Sequence, residues 1–106
     1  MAFFPKPHPY QRARRHRIST QTPIVFVHGG RQTRGRLQVV SDTGGCAGID
    51  SHLALATLVH LQVHTPAGTI SAVAEMLRPV DASRQPFRFL AMDDLDLSRL
   101  QQLKAH

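Results

Sequence analysis

Cysteine, tryptophan and, over the first third of the chain, acidic side chains are what this 106-residue sequence has least of. Cys46 is the only cysteine, which excludes an internal disulfide and any zinc site assembled from several cysteines of this chain; a reducing compartment fits. The opening MAFFPKPHPY lacks the apolar stretch of roughly 7 to 15 residues that a secretory signal uses. No run approaches the roughly 20 apolar residues that a membrane-spanning helix needs. The expected setting is therefore cytoplasmic, without membrane insertion. Aromatic rings number six, and only Phe3, Phe4 and Tyr10 lie near the arginine cluster at residues 12–17. That is a poor supply for a base-stacking platform and argues against nucleic acid as the partner.

What is present is positive charge, unevenly placed. Residues 1–36 hold eight Lys and Arg and no Asp or Glu, whereas residues 37–106 hold five basic and seven acidic side chains, so the two parts carry +8 and −2. Eleven of the thirteen cations are Arg, whose planar fork grips phosphate with two bonds and stacks on bases. An anionic or nucleotide partner follows more naturally than general solubility. With 42% hydrophobic and 19% charged residues, the chain has enough apolar surface for one small globular domain and is too short for a multi-domain machine.

Pro5, Pro7 and Pro9 each remove a backbone donor and restrict the preceding residue, so residues 1–11 read as an extended tail and residues 12–106 as the folded domain. From about Ile24, short apolar runs alternate with turn signals: PIVFV before HGGRQTRG, RLQVV before SDTGG, then CAGI, and LVHLQVH before TPAG. In TISAVAEML, Ile70, Ala72, Ala74 and Met76 share one face of a strand; in FRFL, Phe87 and Phe89 oppose Arg88. Five or six such strands, each too short to bury a face alone, predict an antiparallel barrel or sandwich. DDLDLSRLQQLKAH closes the chain as a helix, with acids at its start, Lys104 near its end, and Leu97, Leu100 and Leu103 on the side that docks.

Four constellations could carry chemistry. Arg12, Arg14, Arg15 and Arg17 crowd six positions, and guanidiniums that close together repel one another until phosphate or carboxylate neutralises them. The plainer reading is a solvated basic tail. The turn Asp42, Thr43, Gly44, Gly45 lets a ligand approach the backbone, but glycines also serve any hairpin. PIVFVHGG imitates the oxyanion segment of α/β-hydrolases, yet no G-x-S-x-G nucleophile elbow exists to go with it. His60 and His64 have the spacing of helical zinc ligands, but on a strand four residues span about 13 Å at roughly 3.3 Å per residue, too far to share one metal. Cys46, beside Ala47, reads as a small buried apolar residue rather than a reactive thiol. No paired acid and base and no activated nucleophile can be placed, so no catalytic residues, no metal site, no cofactor and no enzymatic activity are expected.

Taken in order, the arginine-rich lead, the strand, the hairpin into a glycine pair, the further strands and FRFLAMDDLDLSRLQQL resemble the PilZ domain, a bacterial signalling module whose members typically bind cyclic di-GMP. The likeness spans nearly the whole chain after the tail. It implies a six-stranded antiparallel β-barrel with a C-terminal helix, and ligand-binding residues drawn from Arg12, Arg14, Arg15, Arg17, Asp42, Gly44 and Gly45. The family's ligand motifs, R-x-x-x-R in the lead and D/N-x-S-x-x-G at the turn, are altered. With Arg17 as the second motif arginine, the first falls on Ala13. At the turn, Val40 replaces the leading Asp or Asn, Asp42 replaces Ser, and the final Gly45 is kept.

Cyclic di-GMP is a dianion with two guanines, so its receptor needs guanidiniums for the phosphates and acceptors for the purine N–H groups. The arginines keep the first requirement, and Val40 removes part of the second. Weakened binding is expected, with residues 10–18 ordering on the ligand and changing the face seen by an unidentified protein partner. The alternative is a PilZ-type barrel that has lost its ligand and works as a protein-interaction adaptor in motility or surface attachment. Non-specific nucleic-acid binding by the +8 front is the third reading, and a steep salt dependence without base preference would mark it.

Overall fold

Alternation with a period of two carries most of the architecture, because each strand has one apolar row to bury and one polar row to leave in water. The computed structural model describes residues 2–3 and 15–105. Its elements are β1 (Ala2–Phe3), β2 (His16–His28), β3 (Arg31–Val40), β4 (Gly44–Ile49), β5 (Leu58–Thr65), β6 (Gly68–Met76), β7 (Arg84–Asp93) and α1 (Asp94–Lys104). Strand β2 pairs with β3 and β5, β3 with β4, β4 with β7, β7 with β6 and β6 with β5, all antiparallel. The six strands β2–β7 thus form a closed barrel, as the resemblance implies, with one C-terminal helix. No helix among the described residues is long and apolar enough to cross a membrane.

The inward rows are those the alternation predicts. Ile70, Ala72, Ala74 and Met76 are buried, as are Phe87 and Phe89, while Arg88 between them is exposed. Phe87 meets Phe26 and Phe89 edge to face, with ring centroids 5.7 and 5.5 Å apart, an arrangement that suits aromatic quadrupoles. Register shifts between Arg17 and Thr22, between Leu37 and Val39 and between Val73 and Ala74 bend the strands enough for the sheet to close. The HGG segment is a hairpin turn. His28 pairs with Arg31, and Gly29 and Gly30 have φ of 52° and 75°, a two-residue loop of the kind that matches strand twist.

The sequence and the fold differ in two places. Strand β2 begins at His16 rather than near Ile24, so Arg17 is a paired strand residue. The irregularity between Arg17 and Thr22 interrupts the period of two and hides this extension from a pattern reading. Ala2–Phe3, within the segment read as a tail, pairs as β1 with Met92 and Asp93 of β7. The reason is geometric: β4 reaches only to Arg88 along β7, leaving that strand's last residues an edge to fill.

The register assigns every connection to one of two ends. The helix pole holds the start of β2, the Ser41–Thr43 turn, the β5–β6 turn and α1. The hairpin pole holds Gly29–Gly30 and the connections 50–57 and 77–83. Leu100 of α1 is buried, Leu97 and Leu103 pack partly buried against the core, and Leu95 points outward, so the docking face is the predicted one. Arg99 Nη1 donates to the Thr69 carbonyl at 2.8 Å and Asp96 Oδ1 accepts from the Ser71 N–H at 2.9 Å, which fixes α1 across β6.

Candidate functional site at the helix pole

Of the predicted arginines, Arg12 and Arg14 lie outside the described residues. Arg15 and Arg17 are exposed, Arg15 just before β2 and Arg17 within it. His16 pairs with Val40 and Arg17 with Val39, so the end of the arginine segment runs beside the end of β3, where the chain turns through Ser41–Thr43. Among the described residues neither Arg15 nor Arg17 has a carboxylate within ion-pair distance.

The turn satisfies its own polar groups. Ser41 N–H donates to the Gly44 carbonyl at 2.7 Å, Thr43 N–H donates to Ser41 Oγ at 3.2 Å, and Phe89 N–H donates to the Thr43 carbonyl at 2.8 Å. Gly44 and Gly45 follow at the start of β4, and strand packing accounts for both. A Cβ on Gly44 would sit 2.1 Å from the Phe87 carbonyl oxygen, and one on Gly45 would sit 2.5 Å from that of Val39. Val40 is a core residue, 1% exposed, so it presents nothing to a ligand outside the barrel.

Asp42 is the exposed acid of the turn, and α1 answers it. Gln101 Nε2 donates to its Oδ1 at 3.0 Å, and Lys104 Nζ donates to the same oxygen. The Lys104 ammonium, with help from Gln101 and His16, holds the Asp42 carboxyl below its usual range against a burial effect of opposite sign. Because half the Asp42 side chain is in water, the pair is worth at most about 1 kcal/mol to the fold. Its electrostatic effect is local: it neutralises the exposed carboxylate of the Ser41–Thr43 turn.

The remaining sequence candidates are dispersed. His60 and His64 are exposed on β5, with His64 Nδ1 3.3 Å from Thr69 Oγ1, and no group of three metal-ligating side chains gathers among the described residues. Cys46 is half-buried rather than buried; burial pushes its thiol up, while the charges of Arg84 and Arg15 oppose that rise. Two features escape sequence reasoning. The Lys104–Asp42 contact joins residues 62 apart, and no local pattern announces it. Gln85, fully buried, accepts from Leu53 N–H at 2.9 Å and donates to the carbonyls of Leu53 and Leu77 at 2.7 and 2.9 Å. A signal for Gln85 did exist: it shares strand parity with Phe87 and Phe89, and an inward polar side chain must find partners.

No protein-family model matches this chain, and a search of curated proteins finds no match to it.

Proposed function

We propose that this chain is a PilZ-type signalling module, non-enzymatic, that binds cyclic di-GMP or a closely related guanine-nucleotide dianion at the helix pole. The observation that carries the reading is the register of His16 with Val40 and Arg17 with Val39, which sets two arginines without carboxylate partners beside the Ser41–Gly45 turn of a closed six-stranded barrel. The ligand phosphates meet the guanidiniums of Arg15 and Arg17, and Arg12 and Arg14 precede them in the chain. Asp42 does not repel the dianion, because Lys104 and Gln101 already hold its carboxylate. Val40, turned into the core, gives the guanine edge no acceptor. Recognition of the base therefore rests on arginine faces, and binding is weaker than two purine anchors would provide. The bound dianion lowers the positive charge of the surface that a protein partner meets at this pole, and that change is the signal.

Titration calorimetry tests the reading. Saturable heat with cyclic di-GMP at about 100 μM protein should fall by about 10- to 100-fold in affinity for each of Arg15→Ala and Arg17→Ala, the cost of one charge-assisted contact. No heat from a folded sample rejects it. The second reading, a ligand-free adaptor, is favoured by the tie between Asp42 and α1, which gives the turn a structural employment. It predicts that partner capture survives the Arg15→Ala/Arg17→Ala double substitution.

A further inference from the structure

The hairpin pole has a different character. Between the β2–β3 hairpin and the 50–57 connection lies a cleft of about 570 Å³, within the size range of small-molecule sites, with His28, Arg31, Thr33, Arg34, Asp50 and His52 among its walls. A second hollow of about 490 Å³ adjoins it through Arg34 and Asp50 and adds Arg36. Among the described residues none of Arg31, Arg34 and Arg36 has a carboxylate within ion-pair distance. Arg84 at the same pole is unlike them: it pairs with Asp81 at 2.7 Å and holds that carboxyl down to about 2.

The wall of this cleft is built firmly although it has no regular secondary structure. Gln85 grips both backbone groups of Leu53, Ala56 N–H donates to the Met76 carbonyl at 2.8 Å, and Thr57 donates twice to the Ala54 carbonyl. Ala56 is held at a φ of 69°, a conformation that an L-residue keeps only when its surroundings enforce it. One polar group in that wall is left over. His52 Nε2 is shielded from solvent, and so from the open cleft, and has no hydrogen-bond partner among the described residues, a local cost that the rest of the wall carries. Among the described residues no Phe, Tyr or Trp lines either hollow, while Leu53 and Ala54 form part of the wall.

We propose that this cleft binds a small phosphate ester with an aliphatic body, its phosphate held by Arg31 and Arg34 and its body set against Leu53 and Ala54. Guanidiniums supply planar forks of donors to which phosphate oxygens can accept hydrogen bonds. The two sites share no residue, so each stands or falls alone.

The test titrates the full chain, isotopically labelled, with glycerol 3-phosphate and with inorganic phosphate, following amide shifts by NMR. The expected result is saturable shifts in residues 28–34 and 50–57, with glycerol 3-phosphate the tighter ligand. Arg31→Ala/Arg34→Ala should weaken it at least about 10-fold, and Arg15→Ala/Arg17→Ala should leave it unchanged. Thermal unfolding of each variant shows whether it remains folded. The proposal is overturned by absence of saturable shifts, by binding indifferent to Arg31→Ala/Arg34→Ala in a folded protein, or by a single-stranded oligonucleotide outcompeting the ester at these residues.

Discussion

At the helix pole polar side chains answer one another: Asp42 meets Lys104 and Gln101, Asp96 takes the Ser71 N–H, and Arg99 takes the Thr69 carbonyl. At the hairpin pole neither Arg31 nor Arg34 has a carboxylate partner, nor His52 Nε2 a hydrogen-bond partner, among the described residues. The difference follows from what covers each end. Docking a helix across a barrel brings its own polar residues against the turns beneath, so they become cross-ties. An end covered only by a hairpin and loops has fewer neighbours to offer. Ligand capacity at the helix pole therefore falls to the exposed arginines ahead of the ties, whereas at the hairpin pole it belongs to the cleft itself.

Removing the element that organises each pole would break this contrast. The largest effect is expected from Gln85→Leu, which orphans the Leu53 N–H and the Leu53 and Leu77 carbonyls. At about 1 to 3 kcal/mol for each of the two buried Leu53 groups left unpaired, and less for the part-buried Leu77 carbonyl, the loss should be at least about 3 kcal/mol in urea unfolding. Accelerated amide exchange should be strongest in residues 50–57. Leu100→Ala comes next: it empties a buried site between α1 and the barrel and should cost about 2 to 5 kcal/mol, measured the same way. Here the loosening should appear in α1 and the Ser41–Thr43 turn, leaving the hairpin pole protected.

The smallest effect sharpens the comparison rather than breaking it. Lys104→Met removes the cation that depresses the Asp42 carboxyl and should cost at most about 1 kcal/mol at neutral pH. Because the folded-state pKa lies below the ordinary value of 3.8, the contribution is complete above that value and lost as pH falls through the depressed one. The stability gap between the natural chain and Lys104→Met should accordingly be level above about pH 5 and close in acid. In the variant the Asp42 carboxylate at the helix pole loses its cation, so cyclic di-GMP affinity should drop although neither Arg15 nor Arg17 has changed.

Much of the barrel was legible because strand parity is a strictly local signal. Ile70, Ala72, Ala74 and Met76 point inward as their alternation requires, and Leu97, Leu100 and Leu103 mark the docking face of α1. The start of β2 was not, since the irregularity between Arg17 and Thr22 breaks the period where the arginine segment becomes strand. The site was legible as residue types but not as partnerships. Arg15, Arg17 and Asp42 do come to one pole, whereas the claim of Lys104 on Asp42 depends on where a helix 62 residues away comes to rest. The glycine pair signalled a close approach without saying of what, and the neighbour is the backbone of β3 and β7. The hairpin-pole cleft left no trace in the pattern, because an eight-residue connection has no periodicity and its anchor, Gln85, lies on another strand.

The central claim is that a guanine-nucleotide dianion is received at the helix pole, and the most direct measurement is the map of amide shifts when cyclic di-GMP is titrated into the labelled chain. The account predicts saturable shifts concentrated at residues 15–17 and 39–45, abolished in Arg15→Ala/Arg17→Ala. Shifts confined to residues 28–34 and 50–57, or none up to about 1 mM ligand, the weak limit of a specific site, would contradict it.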